Sequence, residues 1–120
     1  MSIEVEQVGE DTTDYGAQFK TKRDVKVVKK DGSKETFNVQ KVVNAVGKSA
    51  YRALTKFTEE EKRHICQYVV EKVDELEQDE IPIPIMHNIV ESALEQVKPI
   101  VAKSYRDYRN YKQDFVRMLD

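Results

Sequence analysis

Apolar residues recur along most of the chain, and their period changes from that of a strand to that of a helix. Val25, Lys26 and Val27 alternate and Val28 extends the run, which predicts a short strand. Lys30-Asp31-Gly32-Ser33 is a hairpin signal, because Asp-Gly tolerates the positive φ of a tight turn. Glu35 to Asn38 returns as a second strand anchored by Phe37. Asn38 is then placed to cap a helix to about Ala53, with Val42, Val43, Val46, Ala50 and Leu54 on its apolar face. Thr58-Glu59-Glu60-Glu61 is a capping box whose acids also complement the positive end of the helix dipole. Ile65, Val69, Val73 and Leu76 line the helix that it starts.

Ile81-Pro82-Ile83-Pro84-Ile85 excludes a helix interior, since each proline drives its predecessor toward extended geometry. It predicts a short edge strand, then a helix with Pro84 near its first position. That helix runs to about Val97 and buries Ile85, Ile89, Val90, Ala93 and Leu94. Pro99 opens a last long helix striped by Val101, Tyr105, Tyr108, Phe115 and Leu119. The order is β-β-α-α-β-α-α, a small sheet on a helical bundle. Residues 1–22 are polar and without period, so they are expected to form a flexible leader to a domain over 23–120.

Composition narrows the function more than the fold. With 120 residues and 39% hydrophobic content, the chain suits one globular domain. A single cysteine, Cys66, excludes an intramolecular disulfide and any multi-cysteine zinc cage. No apolar run approaches the ~20 residues of a membrane span, and the acidic N-terminus is unlike a signal peptide. A cytoplasmic location without membrane contact is expected. The net charge of −2 conceals segments of −3 (1–22), +6 (23–56), −6 (57–80) and +1 (81–120). The basic block could suit an anion, or it could simply face the acidic block.

Catalysis finds little support. His64 and Cys66 share a helix, but their spacing makes a weak nucleophilic pair, and Cys66 reads as a small buried hydrophobe. The two histidines offer no metal-ligand spacing, and neither standard phosphate loop is present. No catalytic or metal-ligating residue is therefore assigned. Tyr105, Tyr108 and Tyr111, among Arg106, Arg109 and Lys112, could stack single-stranded nucleic acid, although core packing is the commoner use of such a series. The segment from Val27 to Ala50 combines more: two lysines before a tight turn, an acid and an amide after it, and Lys41 in the first turn of a helix. Strand alternation sends Lys29 and Lys30 to opposite faces, while Lys41 lies close to the helix's first amides. Lysines and amides together would make a triphosphate seat. Charge and geometry permit a nucleotide there without demanding one.

Val27-Val28-Lys29-Lys30-Asp31-Gly32, then Phe37-Asn38 and Lys41-Val42 leading to Ala45 and Ala50, resembles the ATP-cone signature, V-x-K-R-D-G followed by K-I and small residues. The likeness covers about residues 24–112, including a short apolar strand before a helix bearing His87 and a last helix with Ala102, Tyr105, Tyr108 and Arg109. It implies an α+β fold, a four-helix bundle capped by a small three-stranded mixed β-sheet. It also implies an allosteric regulatory domain of ribonucleotide reductase that binds ATP or dATP, with Mg2+ carried on the phosphates, and switches oligomeric state. Carried over by residue, Val27 and Val42 line the base pocket, and Lys29, Lys30 and Lys41 reach phosphates. Glu35 and Asn38 make polar nucleotide contacts, Ile83 closes the pocket and His87 lies near the effector. Arg109 and Lys112 compete for the basic position on the last helix.

Two positions depart from the pattern: Lys30 stands where arginine is commoner, losing bidentate phosphate recognition, and Ile83 replaces a frequent polar residue. The implied partners are adenine nucleotides, a reductase catalytic core or partner subunit, and further copies of the chain. The zinc-ribbon repressor of reductase genes shares this cone, but its ribbon needs several cysteines. The charged last helix, ending abruptly at Asp120, leads to the expectation that the natural protein continues. The alternative is a helical interaction or nucleic-acid-binding domain using the 23–56 block and the Tyr/Arg helix, against which the pI of about 5.8 argues.

Overall fold

The computed structural model describes residues 14–119, with side chains over 14–109. Among them are five helices and one three-stranded mixed sheet, an α+β architecture: α1 (Tyr15–Gln18), β1 (Lys26–Val28), β2 (Lys34–Thr36), α2 (Val39–Arg52), α3 (Glu59–Leu76), β3 (Glu80–Pro82), α4 (Ile83–Val97) and α5 (Pro99–Leu119). The sheet order is β2-β1-β3. β2 runs antiparallel to β1 with Val27 opposite Glu35, and β3 runs parallel to it with Val27 opposite Ile81. Val27 is therefore central, and α2 and α4 leave the sheet from its two outer strands.

Local chemistry sets each boundary. In the hairpin, Gly32 takes φ +88°, and Asp31 Oδ1 accepts from Ser33 N (2.9 Å) and Oγ (2.6 Å). Those bonds hold the Asp31 carboxyl below its usual range. Asn38 Oδ1 accepts from Gln40 N at 2.8 Å and caps α2. Thr58 and Glu61 make the reciprocal capping box of α3, and Pro84 sits in the first turn of α4. The four longer helices pack in a ring, α2 on α3, α3 on α4, α4 on α5 and α5 on α2, and α4 also meets β1 and β3. Their inward faces hold Val43, Val46, Ile65, Val69, Val73, Val90, Leu94 and Val101, all less than a twentieth exposed. No described helix is long and apolar enough to cross a membrane.

Five expectations need correction. The leader expected over 1–22 does not include residues from 14 onward: Tyr15 is completely buried, donating from Oη to Glu59 (2.7 Å) and from its amide to Gln40 (2.9 Å). Two aromatics in a polar stretch, Tyr15 and Phe19, are too few to set a period, so their anchoring role left no pattern to read. Leu54 is 93% exposed, because α2 ends at Arg52 and Leu54 turns out at φ +60°. Ile85 is exposed and Met86 buried, since a helix starting at Ile83 turns positions 86, 90, 93 and 94 inward. Tyr108 is exposed under the Arg52 guanidinium, 3.8 Å from its ring centre, instead of lying in the core. The second strand is also shifted, to Lys34–Thr36, with Phe37 half-buried beyond its end. Phe115 and Leu119 lie outside the described side chains.

Candidate functional site

The expected residues fall into two groups, of which the first lies at the end of β1. Alternation along the strand puts Val27 and Lys29 on one face, and register puts Glu35 beside Val27 on that same face. Glu35 forms ion pairs with Lys29, at 3.4 Å, and with Lys41 from the first turn of α2. One carboxylate thus draws together a lysine from the hairpin and a lysine from the helix that follows. Both lysine side chains remain about half exposed. Val42, one residue on, is buried against the core, and half-buried Val27 packs on the same core.

The other flank comes from α4 and α5. Ile83, the first residue of α4, is half-buried, and His87 follows one helical turn later. The His87 ring stands edge-on to Tyr105 of α5, with centroids 6.0 Å apart and planes at 78°. Burial is the main cause that holds His87 below its ordinary pKa. Arg109 and Lys30 push the same way and Glu91 opposes them. Burial likewise pushes the Tyr105 hydroxyl up to about 12, so it stays protonated and neutral. Lys30, which alternation sends away from Lys29, acts electrostatically on His87.

Glu91 and Arg106 were not singled out from the sequence as part of this locus. Glu91 lies four residues after His87, on the same face of α4. Its carboxylate contacts Arg109 Nη1 at 2.6 Å and Arg106 Nη1 at 3.4 Å. Arg106 also reaches Glu95 at 3.8 Å. The histidine–glutamate spacing was visible beforehand, but nothing in a single helix showed that α5 would bring two arginines to it.

Asn38 is committed to capping α2, and its amide lies against Gly16, where an added Cβ would come within 2.4 Å of Oδ1. It lines a polar cavity of about 390 Å³ walled by residues 19–24 of the N-terminal segment with Phe37 and Val39, away from Lys29 and Lys41. A shallower, mostly apolar cavity of about 430 Å³ lies between the end of α2 and α5, lined by Arg52, Ile100, Ser104 and Tyr108. Neither is formed by the two cationic flanks. Lys112 lies outside the described side chains. Cys66 is completely buried, and His64 pairs with Gln96 at 3.2 Å on the surface.

The donor set suits a polyphosphate anion. It comprises Lys29 and Lys41 from two elements, sharing Glu35, and Arg109 and Lys30 acting on the desolvated imidazole of His87. Comparison with known proteins decides the family: the model described as an ATP cone domain matches residues 25–114. The chain belongs to the ATP-cone family. ATP-cones are nucleotide-binding regulatory domains, and the matched stretch includes both flanks of the locus but not α1. The cone is also similar to a relative named transcriptional repressor NrdR 2, from Paramagnetospirillum magneticum. The two are 32% identical over 94 residues, which covers 76% of this chain and 59% of the repressor. The chain therefore spans little more than half the length of that relative.

Proposed function

We propose that this ATP-cone senses the balance of ATP and dATP, binding either at the end of β1 and converting occupancy into a change of assembly. The observation that carries the reading is the pairing of Lys29 and Lys41 through one carboxylate, opposite a flank where Arg109 and Lys30 both act on His87. Cations held on separate elements with no full complement of acids are poised for a multiply charged ligand that bridges them. In this reading Val27, Val42 and Ile83 border the base, Glu35 offers a polar contact to the nucleotide, Asn38 acts by fixing the start of α2, and Lys29, Lys30, Lys41 and Arg109 take phosphates. Lys112 remains a second candidate for the basic position on α5. Mg2+ would arrive on the phosphates and neutralise part of their charge. The packed ring of α2 to α5 is the bundle through which occupancy reaches the outer helix faces.

ATP and dATP differ by one hydroxyl, whose hydrogen bond is worth about 0.5–1.5 kcal/mol net. Such a margin biases selection, so inhibition or activation must come from different contacts in two assemblies. A ribonucleotide reductase is the parent we favour, with its catalytic core or partner subunit as the surface that the cone engages. Light scattering tests the switch: one mass with ATP and another with dATP is expected, and a single unchanged mass in ATP, dATP and buffer contradicts it.

A second reading is favoured by the similarity to a repressor: the same nucleotide sensing would serve a protein that acts on DNA. Within the basic block, Arg23 is held by Asp79 (3.0 Å) and Lys34 by Glu80 (2.7 Å). Tyr105 is packed on the core and Tyr108 lies under Arg52, so neither forms an open stacking stripe. Salt-sensitive retention on DNA that responds to ATP or dATP would support this parent over the reductase.

A further inference from the structure

Glu91 places a negative charge at the phosphate flank of a site whose ligand is an anion. Its side chain is 15% exposed, and Oε2, wholly buried, faces Arg109 Nη1 at 2.6 Å without the alignment of a hydrogen bond. The pair is therefore held by proximity in place of the bidentate fork that makes arginine–carboxylate pairs strong. A buried carboxylate oxygen lacking an aligned donor keeps part of its desolvation cost. The two arginines are not equivalent. Arg106 has Glu95 as a second acid, whereas Glu91 is the acid recorded for Arg109 among the described residues.

We propose that Glu91 competes with the nucleotide's phosphates for Arg109 and so sets the affinity of the site. This rests on the nucleotide-binding reading above. In the free protein Glu91 occupies the guanidinium. A polyphosphate presents more oxygens and more charge to the same group, and takes it by exchange. Until then Glu91 both neutralises Arg109 and repels the incoming anion. Removing its charge while keeping its shape frees Arg109 and ends the repulsion, and Arg106 stays anchored by Glu95.

The test is calorimetric titration of the whole chain with MgATP, comparing wild type with Glu91→Gln. Tightening by about tenfold is expected, the order for one unit charge a few ångströms from another in a partly exposed site. In an Arg109→Gln background the same change should have much less effect, because the contested cation is gone. Glu91→Asp keeps the charge but shortens its reach to Arg109. It should fall between the two and provides a reading if Glu91→Gln folds poorly. Unchanged or weaker ATP binding by Glu91→Gln, with wild type binding normally, overturns the competition and makes Glu91 a support for Arg109. Binding by neither chain overturns the nucleotide reading itself, and binding by Glu91→Gln alone supports the competition in its strongest form.

Discussion

At His87 two opposed demands meet on one imidazole. Burial first, then Arg109, with Lys30 adding, disfavours its proton in the free fold, and Glu91 only partly offsets them. An unfolded histidine titrates near 6.5, so below that pH the unfolded chain takes up a proton that the folded chain resists. This contribution to stability is intact above about pH 6.5 and is lost as pH falls through the lower folded value. Nucleotide reverses the balance, since phosphates beside Arg109 and Lys30 cancel the cations that suppress the imidazolium. We expect ATP binding to take up a proton near pH 6 and affinity to rise as pH falls from 7 to 6. Calorimetry in buffers of different ionisation heat measures the uptake, and His87→Gln should abolish it. Proton-neutral binding by the wild type at pH 6 would separate His87 from the ligand.

Among the elements, the end of α2 shows backbone strain. Leu54 and Thr55 donate to Tyr51 and Ala50 at 3.0 and 2.9 Å, the pattern that usually ends a helix on a left-handed glycine. Here the left-handed residue is Leu54, at φ +60° and 93% exposed, so it has strain to lose and almost no burial. Leu54→Gly should raise stability by about 0.5–1 kcal/mol in urea denaturation. A loss of that size would mean that the exposed leucine makes contacts absent from the isolated chain. The start of this helix was legible because Asn38 is a strong cap. Its end was not, because leucine at that position looks like one more apolar residue on the face. The capping box at Thr58 and the Ile81–Ile85 prolines were legible for the same reason as Asn38: each leaves few backbone choices. Met86 and Tyr15 were missed because helix phase, and the burial of an aromatic in a polar stretch, depend on what packs against them. At the site, Lys29, Glu35 and Lys41 were adjacent enough in sequence to be grouped. Glu91 needed α5 alongside α4 before its two arginines gave it meaning.

Over the whole molecule, the basic and acidic blocks read from the sequence meet in two surface ion pairs. The basic hairpin leans on the acidic end of α3 and on β3 through Arg23–Asp79 and Lys34–Glu80, and Asp74 also accepts the Lys22 amide at 2.8 Å. At the end of β1, Lys29 and Lys41 share the one carboxylate of Glu35. The N-terminal segment is part of this plan. α1 lies outside the stretch matched to the family, yet it buries Tyr15 in the core and packs Gly16 on the amide that caps α2. The central claim is that an adenine nucleotide binds the cations gathered there. Thermal unfolding with MgATP, MgGTP or Mg2+ alone tests it, on wild type and on a Lys29→Ala/Lys41→Ala double variant. At a hundred times Kd, ATP should add about 2.7 kcal/mol and raise Tm by on the order of 10 °C. GTP should do far less, and the double variant should lose most of the rise. No rise with ATP, or a rise undiminished in the double variant, would contradict the account.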